Sequence, residues 1–121
     1  MTIQQIANRL VELSRQQQST RAYRELFAQD ASSHEMPGVP DGSVQGLDNL
    51  IAKSEAFDEN HREVHSITVT EPLVYENFFT VGMGIDVTNL DGSRTQAHEI
   101  CVYRVEDGKI VEERFIYKMP D

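Results

Sequence analysis

The feature that most constrains this chain is the pair Asp107-Gly108, set between two long runs rich in β-branched and aromatic residues. A tight hairpin turn needs positive φ at its centre, where glycine carries no Cβ penalty, so Asp-Gly between strand-like runs is a strong hairpin signal. Ile100, Val102, Tyr103 and Val105 precede the turn; Ile110, Val111, Phe115, Ile116 and Tyr117 follow it. Arg94 to Tyr117 is therefore expected to form a long antiparallel hairpin at the centre of a sheet.

The rest of the chain supplies helices first and strands after. Ile3, Ile6, Ala7, Leu10 and Leu13 recur at helical spacing, with Thr2 and Gln5 placed as a capping box, which predicts an amphipathic helix over 2–17. Ser19 or Thr20 caps a second short helix with Ala22, Tyr23, Leu26 and Phe27 on one face. Asp30 to Met36 reads as an edge strand, and the prolines and glycines of 37–42 as a loop. Gly46 precedes a third helix carrying Leu47, Leu50, Ile51 and Phe57, which runs to about Asp58. Val64 to Thr70 alternates as a strand with His65, Ile67 and Val69 on one face. In the next long strand Phe79, Val81, Met83, Ile85 and Val87 share one face. The other face holds Gly82, Gly84 and Asp86, and the two glycines there leave room for a bend or for the close approach of a ligand or helix. Asn89 to Ser93 is a second hairpin loop. This order implies an α+β fold, a cone-shaped, curved antiparallel sheet wrapped around three N-terminal helices, in one domain over 1–121.

Charge narrows the partners. Eleven basic against 20 acidic residues leave a formal charge of −9, which repels phosphate backbones, so no nucleic-acid partner is expected. Cys101 is the single cysteine and stands in an apolar run, which fits a reducing cytoplasm. Polar residues break up the first ten positions, and no run approaches a signal core or a membrane span. No metal or cofactor is expected, since there is no histidine pair at ligand spacing, no cysteine pair and no phosphate-cradling glycine loop.

Three segments carry a family resemblance: Leu26-Phe27-Ala28-Gln29-Asp30-Ala31, Gly46-Leu47-Asp48-Asn49-Leu50, and Val105-Glu106-Asp107-Gly108-Lys109-Ile110-Val111-Glu112-Glu113. In this order and spacing the chain resembles the SnoaL-like branch of the nuclear transport factor 2-like superfamily, which includes ketosteroid isomerase. The resemblance covers nearly the whole chain. It implies a cone with an apolar pocket for a small, largely apolar molecule, and often a homodimer formed through the sheet. It does not imply one activity, because this fold hosts isomerases, cyclases, hydrolases, dehydratases and non-catalytic binders.

The resemblance also places candidate residues. Counting on from Asp30-Ala31, Glu35 falls where ketosteroid isomerase carries its aspartate base; a carboxylate at the rim of an apolar pocket is suited to moving a proton. The isomerase's helix-one tyrosine corresponds to Val11, which cannot donate a hydrogen bond. Its second acid falls near Ile100 or Cys101, with Glu99 one register away. Tyr23 and Tyr103 are candidates for a hydroxyl at the pocket. His34 and His98 lie on segments expected to neighbour it, and adjacent strand residues point to opposite faces, so cross-strand pairs such as Glu35 with His98 or His98 with Asp86 are geometrically favoured. Glu35 and His98 are thus the catalytic candidates, with Tyr23, His34, Asp86, Glu99 and Tyr103 as pocket residues. Glu112 and Glu113 read as surface ion-pairing residues. A chain without the isomerase tyrosine also fits a non-catalytic ligand-binding or dimerising module.

Overall fold

The computed structural model describes residues 1–119. Helix α1 (Ile3–Arg15) begins with the expected capping box: the Thr2 hydroxyl accepts from the Gln5 backbone N–H at 3.1 Å, and the Gln5 side chain accepts from the Thr2 N–H at 2.8 Å. Its apolar stripe, Ile6, Ala7, Leu10, Val11 and Leu13, is buried. Helix α2 (Ser19–Leu26) stops one residue earlier than its apolar pattern predicts. Phe27 turns to extended backbone and opens β1 (Phe27–His34), with its ring still in the core. A short strand β2 (Ser43–Gln45) precedes α3 (Leu47–Glu59), which starts after Gly46 at a φ of 94° and buries Leu47, Leu50 and Ile51.

Five more strands follow: β3 (His61–Val69), β4 (Leu73–Tyr75), β5 (Phe78–Asn89), β6 (Arg94–Glu106) and β7 (Lys109–Ile116). The sheet order is β2-β1-β7-β6-β5-β3, with β4 also paired to β5. The hairpin β6–β7 therefore sits at the centre, and its turn residues Asp107 and Gly108 both have positive φ, 49° and 75°. Two expectations change. The sheet is mixed, because β1 runs parallel to β7, with Ser33 opposite Glu113. And β1 is not at the edge, since β2 covers its other side. No turn links β1 to β7; the chain returns through all the intervening elements, so a parallel approach is open to it.

The inner face of the sheet, facing the helices, carries Phe79, Val81, Cys101, Tyr103, Val105 and Ile110, all buried with the helical stripes in one core. Phe79 stacks on Tyr103 with ring centroids 4.8 Å apart. The outer face carries the glycines of β5, and it has no spare room there. A Cβ on Gly82 would meet the Thr70 methyl at 3.2 Å, and one on Gly84 would meet Thr68 Oγ1 at 2.6 Å and His98 Nδ1 at 2.9 Å. Side chains of the flanking strands already fill the space. On β3 a bulge between Val64 and Ser66 breaks the predicted alternation. His65 leaves the face of Ile67 and Val69, and its ring hydrogen-bonds Thr88 Oγ1 at 2.6 Å. Leu73, Tyr75, Phe78, Ile100 and Ile116 remain exposed; Ile100 keeps 50 % of its surface. Among the described residues, no helix is long and apolar enough to cross a membrane.

Candidate functional site

The inner face is polar at one place, where the neighbouring strands β1, β7 and β6 lie side by side. Alternation along β6 sends Glu99, Cys101 and Tyr103 inward, and register carries this to β7, where Cys101 opposes Phe115 and Tyr103 opposes Glu113. Ser33 of β1 then lies against Glu113. Glu35 follows just beyond β1, its backbone N–H donating to the Gly42 carbonyl at 2.7 Å and so closing the intervening loop. Lys53 reaches the same place from α3.

Glu113 is the floor of this cluster, with 2 % of its surface exposed. The Tyr23 hydroxyl donates to its Oε1 at 2.6 Å. Burial pushes the Glu113 carboxyl up to about 7, against the opposing pull of Tyr23, Ser33 and Lys53, which favour its charged form. The Tyr23 hydroxyl is itself held well above its usual range by burial and by the Glu113 charge. Glu99 is half-buried; burial and then the negative charge of Glu35 push its carboxyl up to about 7. The Cys101 thiol points at Glu99 Oε1 from 3.7 Å, and burial with the Glu99 charge raises it far out of the reactive range. The Lys53 ammonium lies 3.7 Å from Glu35 Oε1, donates to Ser33 Oγ at 3.3 Å, and sits 5.2 Å from the centre of the Phe115 ring. The second oxygen of Glu35, Oε2, is buried and has no hydrogen-bond partner. Glu35 and Lys53 keep 24 % and 32 % of their side-chain surface, so the cluster opens to solvent on their side.

The expected residues are thus divided between two faces. Glu35, Glu99, Tyr23 and Tyr103 are on the inner face. His98 is on the outer face, exposed beside Gly84, because its neighbour Glu99 points inward; the Glu35–His98 pair does not form. Asp86 is also outside, where Arg94 holds it through two bonds of 2.8 and 2.7 Å and Gln96 adds a third at 3.1 Å. These donors keep its carboxyl well below the usual range, committed to a surface ion pair rather than to His98. His34 alternates away from Glu35 and bridges Ser43 Oγ at 2.9 Å and Ser32 Oγ at 3.0 Å. The surface role expected for Glu113 gives way to burial: its strand position opposite Tyr103 points it inward, on the face of Phe115, while Glu112 alone ion-pairs outside with Arg114 at 2.7 Å. Lys53 is absent from the sequence-derived candidates. Its one signal is its place three residues after Leu50, on the face of α3 that meets the sheet. Two polar grooves open elsewhere, one bordered by Gln17, Ser19, Arg24 and Asp58 and the other by Asn8, Glu12, Arg15 and Glu71; neither includes a residue of the carboxylate cluster.

The SnoaL-like domain family matches residues 1–117. The chain belongs to that family. A candidate SnoaL-like polyketide cyclase (carbohydrate phosphatase) of Mesorhizobium loti is 37 % identical, with 97 % of this chain and 100 % of that one covered at a TM-score of 0.90. A protein of Xanthomonas campestris with a cystatin-like fold superposes over 98 % of this chain and 92 % of its own, at 17 % identity and a TM-score of 0.81. A Catenulispora acidiphila protein with a ketosteroid isomerase-like fold, in complex with trimethylamine, covers 94 % of this chain and 85 % of its own, at 13 % identity and a TM-score of 0.75. The last two show the fold alone. A search of curated proteins finds no match. This SnoaL-like domain therefore has the α+β architecture of the cystatin-like and ketosteroid isomerase-like structures.

Proposed function

We propose that this SnoaL-like domain binds a small, largely apolar molecule at the open side of its inner face and moves a proton on it without a cofactor, as an isomerase or cyclase does. Glu35 is the base. The observation that carries this reading is Glu35 Oε2, an acceptor withdrawn from water and given no donor by the protein. An unsatisfied buried acceptor costs about 1–3 kcal/mol, and a ligand that brings an acidic hydrogen to it recovers that cost. Glu99, with its carboxyl near neutrality, is suited to hold or release a proton at the working pH. Half-buried Ile67, Met83 and Phe115, packed against the core, supply apolar surface on the same face.

The test is exchange of α-hydrogens for deuterium in a panel of ketones and enones, followed by NMR with wild type and Glu35→Gln. Wild type should exchange at least one member, and the variant should lose about 10²–10⁴-fold in rate with its thermal midpoint unchanged. Equal rates in the two proteins would remove Glu35 from the chemistry.

A second reading is a non-catalytic binding module. It is favoured by Val11, buried where the isomerase has a tyrosine, and by the Lys53 charge that already neutralises one side of Glu35. Either reading is compatible with a homodimer through the outer face, where Ile100, Ile116, Phe78, Tyr75 and Leu73 stand exposed. Cys101, buried and unpaired, suits a reducing cytoplasm.

A further inference from the structure

We propose that the outer face carries a second activity, the hydrolysis of small carboxylic esters with a stable leaving group, with Ser43 as nucleophile and His34 as its base. This site lies across the sheet from Glu35 and stands independently of the proton transfer proposed there. Strand register builds it. His34 of β1 is paired directly with Ser43 of β2, and Ser32, two residues back, shares its face of the sheet. The His34 ring therefore lies between two hydroxyls, with Nδ1 2.9 Å from Ser43 Oγ and Nε2 3.0 Å from Ser32 Oγ. A nucleophile within hydrogen-bond reach of a base, with the base oriented by a third group, is the arrangement that activates a hydroxyl.

The flanking strand supplies the charges. On β7, Glu112 stands opposite Ser32 and Arg114 opposite His34. A negative charge on the Ser32 side of the ring favours the tautomer protonated at Nε2, which donates to Ser32 and leaves Nδ1 to accept the Ser43 hydroxyl. Arg114 bonds Glu112 through Nε at 2.7 Å and keeps 55 % of its side chain exposed, which puts a mobile positive charge beside the pair where negative charge develops. Ser43 is exposed on β2, the edge strand, where an ester reaches it from solvent. The exposed apolar residues of β4, β5 and β6 lie further across the sheet. In the reaction Ser43 Oγ attacks the acyl carbon, its proton passes to His34 Nδ1, and the carbonyl π pair moves to oxygen. That pair then returns, the bond to the leaving oxygen breaks, and His34 gives the proton to the departing alcohol. Water repeats the sequence on the acyl-serine and releases the acid, so the balance needs no oxidant or reductant.

The experiment uses p-nitrophenyl acetate as substrate and a fluorophosphonate, which labels activated serines, as probe, both with the full chain at one mildly alkaline pH. Wild type should hydrolyse the ester and take the fluorophosphonate label on Ser43, located by peptide mass spectrometry. Ser43→Ala should take no label, and both it and His34→Gln should lose at least about 10²-fold in hydrolysis rate with the thermal midpoint unchanged. Ser32 is a positioning residue that holds the ring, so Ser32→Ala should lower kcat with KM unchanged, and Ser32→Thr, which keeps the hydroxyl, should restore it. A label or acetyl group found on other residues and not on Ser43 would overturn the proposal. So would a Ser43→Ala protein as fast as wild type, or a wild type no faster than imidazole at equal concentration.

Discussion

Replacing Glu113 by Gln tests how the buried cluster is held together. Glutamine keeps the shape of the side chain and an oxygen for the Tyr23 hydroxyl, and removes only the titration. In the folded protein, burial lifts this carboxyl from its ordinary 4.5 to about 7. Folding therefore takes up a proton between those values, and the wild-type protein loses stability as pH rises through the window, then levels off once Glu113 is ionised in both states. At about 1.4 kcal/mol for each tenfold change in proton affinity, the loss is on the order of 3 kcal/mol. The glutamine variant lacks this term, whereas Glu99 titrates in both proteins and cancels in the comparison. Urea unfolding of the two proteins at closely spaced pH values from 4 to 8.5, with stability taken at zero denaturant, measures the difference directly. The variant should gain on wild type steadily up to about pH 7 and hold that gain above it. A difference that stays flat across the range, or that shrinks as pH rises, would refute a buried, proton-holding Glu113.

Two other perturbations probe the sheet. Gly84→Ala places a methyl against Thr68 Oγ1 and His98 Nδ1 at under 3 Å, so it should cost about 1–3 kcal/mol in chemical denaturation, with part of the loss recovered when Thr68 is also changed to Ala. Ile100→Asp puts a charge into the exposed apolar outer face; if that face pairs two copies, sedimentation at micromolar concentration should show dimers for wild type and monomers for the variant, with a monomeric wild type sinking the interface.

What could be read from the chain beforehand followed local physics. Thr2 with Gln5, the stripe of α1, the alternation of β5 and the Asp107-Gly108 turn each have a signal confined to a few neighbouring residues, and each formed where expected. Strands β2 and β4 have three residues apiece, too few to display any period. The start of β1 is polar, Ala28-Gln29-Asp30, and its place inside the sheet comes from a parallel partner far away in sequence. The candidate site depended on register. Glu35 and Glu99 face inward and their neighbours His34 and His98 outward, a choice between faces that single-residue slips reverse. Lys53 escapes notice in the sequence, and Glu113 reads there as a surface residue, for a shared reason. Charged side chains normally mark a solvated face, and only tertiary packing reveals that a lysine stem lies along an aromatic ring and a carboxylate has been sealed under a tyrosine.

The parallel seam between β1 and β7 also sets an order of events in time. Tyr23 and Glu113 are separated by 90 residues, and Ser33 meets Glu113 only when the last strand docks beside the first. The helices and the β5–β6–β7 meander rest on nearby contacts and can form early, but the seam must close a loop spanning most of the chain, which places it among the slow steps. During synthesis the N-terminal helices leave the ribosome long before their partner strand exists. The polar cluster is consequently completed last, by segments far apart in sequence, and until β7 arrives the edge of β1 is an open template for pairing with another chain.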